Sequence, residues 1–125
     1  MTATPLQVLV VEDDHPLRDL YTTLLREAGH TVCSAWTARG AIELIRTERV
    51  DLVLLDLELD GLMTGVDVWN KIPRGIPVIV VSGYSERYIH DTAVRAQRIR
   101  DGSTRFLPKP VDAGRLLSEI REMTE

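Results

Sequence analysis

The chain is almost free of cysteine: Cys33 stands alone among 125 residues. One thiol excludes an internal disulfide framework and a cysteine-rich zinc site, and it suits a reducing cytoplasm. No apolar run approaches the roughly 18 residues of a membrane span, so no membrane insertion is expected, and no leader pattern opens the chain. An excess of basic charge is missing too. With 15 basic and 19 acidic side chains the formal charge is −4, which argues against direct nucleic-acid binding. Internal repeats, low-complexity tracts and Gly/Ser linkers are absent. The length suits one domain over 1–125, with residues 1–5 as a tail.

What is present is an alternation of short apolar runs with amphipathic stretches. Leu6 to Val11 reads as a strand, and His15 to Ala28 as a helix with Leu17, Leu20, Tyr21, Leu24, Leu25 and Ala28 at helical spacing. Pro16 near its start and Gly29 beyond its end fit that reading. Thr31 to Ala35 is a second strand. Thr37 caps a helix that turns Ala38, Ala41, Ile42 and Ile45 inward. Asp51 to Asp56 (DLVLLD) contains a continuous apolar run and Pro77 to Val81 (PVIVV) is fully apolar, as strands covered on both faces are. Val66 to Ile72 reads as a short helix, Ser85 to about Arg100 as a longer one, and Arg105 to Leu107 as a last strand. Asp112 caps a final helix with Leu116, Leu117 and Ile120. This (βα)₅ order predicts an α/β fold, a parallel sheet with helices on both faces.

In such a sheet all strand C-termini share one edge, and ligands bind there where the strand order reverses. The residues just past the apolar runs are Glu12, Asp13 and Asp14, then Asp56, Glu58 and Asp60, then Ser82 and Gly83, then Lys109 and Pro110. Glu12, Asp13 and Asp56 together with Lys109 leave a net charge of −2. Crowded carboxylates raise one another's pKa unless a cation relieves them. Mg²⁺, a hard ion that takes oxygen ligands, is the first choice. A metal beside an aspartate suits phosphoryl transfer to that aspartate, with Lys109 and Ser82 contacting phosphoryl oxygens.

These residues resemble the receiver domain of two-component response regulators. VLVVEDDHPLR is similar to the family's acidic first strand, DLVLLDLELDG to its phosphoacceptor strand, VIVVSGYSE to its hydroxyl strand and FLPKP to its lysine–proline element. The resemblance implies a flavodoxin-like three-layer sandwich with strand order 2-1-3-4-5. It implies that Asp56 accepts a phosphoryl group from a histidine kinase or phosphotransfer protein and signals to an output partner. Asp13 and Asp56 would ligate Mg²⁺ directly, Glu12 through water and Glu58 through its backbone carbonyl. Lys109 would bind a phosphoryl oxygen, with the Lys109–Pro110 bond cis. Ser82 and Phe106 would form the coupled switch. The chain would be a signalling module with self-phosphorylation and slow autodephosphorylation, not an ordinary turnover enzyme. Departures from the pattern are the loop LELDGLMTG, which lacks a proline and has one extra residue before Gly65, a long segment between Ser82 and Lys109, and Phe106 where a tyrosine is common.

Blander readings compete. Asp14 precedes the His15–Pro16 helix start and reads as its cap. Glu58 and Tyr84 resemble positions that tune dephosphorylation. His15, His30 and His90 are too scattered for a metal site and read as surface or capping groups, and Trp36 and Trp69 as packing residues. Asp56, Glu58, Asp60, Gly61 and Asp67 imitate a calcium-binding loop, but that loop follows a helix and DLVLLD is strand-like. The first 60 residues carry a balance of −6 and the rest +2; the late arginines Arg95, Arg98, Arg100 and Arg105 read as a solvated helix face, with a partner-binding patch as the alternative. A phosphorylation-independent interaction module with the receiver fold is the alternative function. A Mg²⁺-dependent phosphatase is a more remote one.

Overall fold

The computed structural model of the chain describes residues 4–59, 64–83 and 102–124. The helix expected over 85–100, with Tyr84, His90, Arg95, Arg98 and Arg100, lies outside them, as do Asp60 and Gly61. Five strands run β1 (Gln7–Val11), β2 (Thr31–Ala35), β3 (Leu52–Asp56), β4 (Val78–Ser82) and β5 (Thr104–Pro108). The described helices are α1 (His15–Glu27), α2 (Ala38–Thr47), α3 (Gly65–Lys71) and α4 (Ala113–Thr124). All pairings are parallel, in the order β2-β1-β3-β4-β5. The reversal of strand order therefore falls between β1 and β3.

Period-two alternation divides each central strand between two cores. Val8, Val10, Leu52, Leu54, Ile79 and Val81 pack against Tyr21 and Leu25 of α1 and Leu116 and Ile120 of α4. Leu9, Val11, Val53, Leu55, Val78 and Val80 pack against α2 and α3 through Ala38, Ala41, Val68 and Trp69. Three layers result. Helix starts follow their side chains: Asp14 accepts from the Leu17 N–H at 3.1 Å, Thr37 from Gly40 at 3.0 Å and Asp112 from Arg115 at 2.8 Å. Among the described residues no helix is long and apolar enough to cross a membrane.

Three expectations need correction. Leu20 shares the apolar spacing of α1 yet is 50% exposed, because α1 meets the sheet through Tyr21 and Leu25 and Leu20 projects past that contact. Trp36 is no packing residue but 62% exposed. It follows the last residue of the edge strand β2, beyond the cover of either helix layer, and the Arg18 guanidinium lies over its ring at 5.4 Å from the centroid. His30 is not at the surface but buried. There its Nδ1 accepts the Leu6 N–H at 3.1 Å, a donor just below β1. Trp69 is the core residue it was expected to be.

Burial holds the His30 pKa below the ordinary imidazole value. Its folded form therefore binds a proton less readily than its unfolded form. The stability carried by neutral His30 is fully present above a pH of about 6.5 and is lost as pH falls through the depressed folded pKa. The urea midpoint of the wild type should fall more steeply between pH 7 and 5 than that of His30→Phe, which cannot titrate. Parallel pH profiles for the two proteins would refute the assignment.

Candidate functional site

Parallel strands bring five chain segments to the carboxyl edge of the sheet. Val11 and Leu55 are in register, as are Asp56 with Val81 and Ser82 with Pro108, so Glu12, Asp56, Ser82 and Lys109 follow or end neighbouring strands. Carboxylate oxygens of Glu12, Asp13 and Asp56 lie within 4.8 Å of one another. The Lys109 Nζ stands 3.2 Å from Asp56 Oδ2 and 3.6 Å from Glu12 Oε1. The Lys109–Pro110 peptide is cis, and the Lys109 N–H donates to the Ser82 carbonyl at 3.3 Å. Thus the last strand delivers its ammonium to acids from the first and third.

Burial sharpens the electrostatics. Glu12 is fully buried and Asp56 and Ser82 nearly so, while Asp13 is partly open to solvent. Burial, and then the Asp56 carboxylate beside it, push the Glu12 carboxyl up to about 8. The Asp14 N–H, donating to Glu12 Oε2 at 3.2 Å, and the Lys109 charge pull the other way without winning. Lys109 is half-screened by burial, which works against its charge, but Asp56 and Glu12 outweigh that and hold it above the ordinary lysine value. Tyr21 of α1 feels the same field: burial, and then Glu12, raise its phenol to about 12.

Glu12 Oε1 is buried with no hydrogen-bond partner among the described residues. An orphaned carboxylate oxygen inside a cluster of three acids is what a hard, oxygen-seeking divalent cation would satisfy. The donor set therefore fits such an ion, with Glu12, Asp13 and Asp56 able to hold it.

Glu58 is anchored at both ends. Its N–H donates to Asp56 Oδ1 at 2.9 Å, and its carboxylate reaches β4, where Oε1 accepts from the Ser82 hydroxyl at 3.2 Å and the Gly83 N–H at 2.5 Å. Phe106 is half-buried and meets Trp69 edge-on, with centroids 6.5 Å apart and planes at 77°. Six of the seven residues expected at the site thus lie at or just past the ends of β1, β3, β4 and β5, and Phe106 lies in the middle of β5. Two further contributors were not foreseen. Arg18 donates to the Glu12 carbonyl at 3.2 Å, a contact with no signal in the sequence beyond its place on the first turns of α1. Gly65 packs directly on the Asp56–Leu57 backbone; a glycine opening a helix after a variable loop was its one visible sign.

The family model for the response regulator receiver domain matches residues 8–121. The transcriptional regulatory protein GlrR of Escherichia coli (strain K12) is 31% identical over 128 residues, spanning 100% of this chain and 28% of that protein. The transcriptional regulatory protein ZraR of the same strain is 34% identical over 125 residues, 98% of this chain and 27% of that one. The chain therefore spans little more than a quarter of these curated relatives. A CheY-like response regulator receiver domain protein from Methanospirillum hungatei JF-1 superposes with a TM-score of 0.77 at 27% identity, covering 95% of this chain and 93% of that one.

Proposed function

The chain belongs to the response regulator receiver domain family, and from that membership we propose that Asp56 is its phosphoacceptor. The donor is a phosphohistidine of a kinase or phosphotransfer protein. An Asp56 oxygen attacks phosphorus, the P–N bond breaks as the O–P bond forms, and its electron pair stays on the ring nitrogen, so that a phosphohistidine protonated on its other nitrogen leaves as neutral imidazole. Lys109, already 3.2 Å from Asp56, turns its ammonium to donate a hydrogen bond to a phosphoryl oxygen. The Glu58 N–H, 2.9 Å from Asp56 Oδ1, fixes the attacking carboxylate. Asp13 and Asp56, with Glu12 through water and the Glu58 carbonyl, would hold Mg²⁺, which would supply charge neutralisation on the transferring group. Ser82 then turns its hydroxyl to the phosphoryl group while Phe106 moves inward, and the repacked surface signals to an output partner.

A receiver is a signalling domain, and self-phosphorylation with slow hydrolysis extends that role to small acyl phosphates. The lone half-buried thiol of Cys33 supports a cytoplasmic setting. The observation that carries the reading is the ammonium of Lys109 beside Glu12 and Asp56, acids of two other strands that cluster with Asp13. The test is incubation with acetyl phosphate and Mg²⁺, followed by intact-mass measurement and peptide mapping. One phosphoryl adduct on Asp56, lost when a chelator replaces Mg²⁺, is expected. No adduct, or an adduct mapped elsewhere, would overturn it.

A further inference from the structure

The Glu58 carboxylate does something its main chain does not. It crosses from the end of β3 to the end of β4 and places one oxygen on two donors, the Ser82 hydroxyl at 3.2 Å and the Gly83 N–H at 2.5 Å. The fit is close: a Cβ added to Gly83 would lie 3.0 Å from Glu58 Oε1. Asp56 pairs in register with Val81, so these donors come one and two residues past its partner, beside the space into which a phosphoryl group on Asp56 would extend. A phosphoryl oxygen and the Glu58 oxygen are both anionic acceptors. Both cannot hold the same hydroxyl proton and N–H.

We propose that the Glu58 side chain is an internal competitor for the phosphoryl group: it occupies Ser82 and Gly83 in the unmodified protein and must be displaced for the switched state to form. This rests on Asp56 as phosphoacceptor and adds what opposes switching before the phosphoryl group arrives. Two charge-assisted hydrogen bonds favour the occupied arrangement. A ligand that needs the minor, vacated arrangement binds more weakly in proportion to its population. If one molecule in ten is vacated, removing the competitor tightens phosphoryl-analogue binding about tenfold. Once displaced, the carboxylate also stands near a like-charged group, which adds to the bias.

The test titrates the isotope-labelled chain with beryllofluoride in Mg²⁺, following the Gly83 amide by NMR. Before any addition, the Gly83 amide proton of the wild type should lie far downfield and move upfield in Glu58→Ala. The apparent Kd for beryllofluoride should fall about tenfold in Glu58→Ala and about threefold in Glu58→Gln, whose carbonyl still accepts but without charge. In a Ser82→Ala background the gain from Glu58→Ala should shrink, because one of the contested donors is gone. Equal gains for Glu58→Ala and Glu58→Gln, undiminished by Ser82→Ala, would mean charge removal alone and would overturn the proposal. Unchanged affinity in both Glu58 variants would overturn it while leaving Asp56 as the acceptor. Failure of the wild type to take beryllofluoride at all would instead bring down the reading of Asp56, and the competitor role with it.

Discussion

Asp56→Asn is expected to end phosphoryl uptake and, in the absence of Mg²⁺, to make the fold harder to unfold. The first effect is chemical: an amide oxygen is a poor nucleophile, and it is the Asp56 carboxylate that stands 3.2 Å from the Lys109 ammonium. The second follows from the crowding that puts Glu12 near 8. Asp56 is one of its causes, and it is buried beside Glu12 and Asp13 with the Lys109 ammonium as their close cation. Asparagine keeps the volume and leaves an oxygen for the Glu58 N–H, while Lys109 retains Glu12 at 3.6 Å. A gain of roughly 1–2 kcal/mol is expected from the urea midpoint in chelator. Saturating Mg²⁺ should reverse the order, because the wild type gains binding energy that the variant has largely lost. A variant less stable than the wild type in chelator would show that Lys109 compensates Asp56 fully. An undiminished adduct on the variant would remove Asp56 from the mechanism.

Much of this site was legible because it is built from strand ends. Apolar runs such as LVLL within DLVLLD and PVIVV are short, the latter rich in β-branched residues, as strands buried on both faces are, and parallel connectivity then sends Glu12, Asp56, Ser82 and Lys109 to one edge. The caps Asp14, Thr37 and Asp112 were legible for a local reason, since each acts within three residues of itself. The misreadings are all tertiary. Leu20 and Trp36 are apolar by composition, but the cover over each depends on where α1 and the edge strand β2 end, which periodicity does not encode. His30 is buried because Leu6 N–H, 24 positions away, needs an acceptor. Glu58 was placed correctly along the chain, two residues past Asp56. The direction of its carboxylate depends on β4 lying beside β3, and that is a fact of packing.

Gly65→Ala should damage both fold and site, and it tests how the altered loop is accommodated. Gly65 is the first residue of α3, and a Cβ there would lie within hard-contact distance of the Asp56 carbonyl oxygen and 2.5 Å from the Leu57 Cα. These are main-chain atoms of β3's end, which no rotamer change can clear. Gly65 has no positive φ, so the demand is for space and not for a left-handed backbone. Alanine's better helix propensity, up to about 1 kcal/mol, works in the variant's favour. It is outweighed, because the clash is with a strand already paired on both sides. A net loss of about 3 kcal/mol is expected. Asp56 should suffer as well: moving the Asp56–Leu57 peptide displaces the Glu58 N–H from Asp56 Oδ1, so uptake from acetyl phosphate should fall even where the variant remains folded. Gly75→Ala is the control, since nothing lies within 4 Å of a Cβ there and its φ is not positive; it should be neutral or gain up to about 1 kcal/mol. If the urea midpoints of the two alanine variants coincide, α3 does not press on the end of β3, and the extra loop residue is absorbed elsewhere.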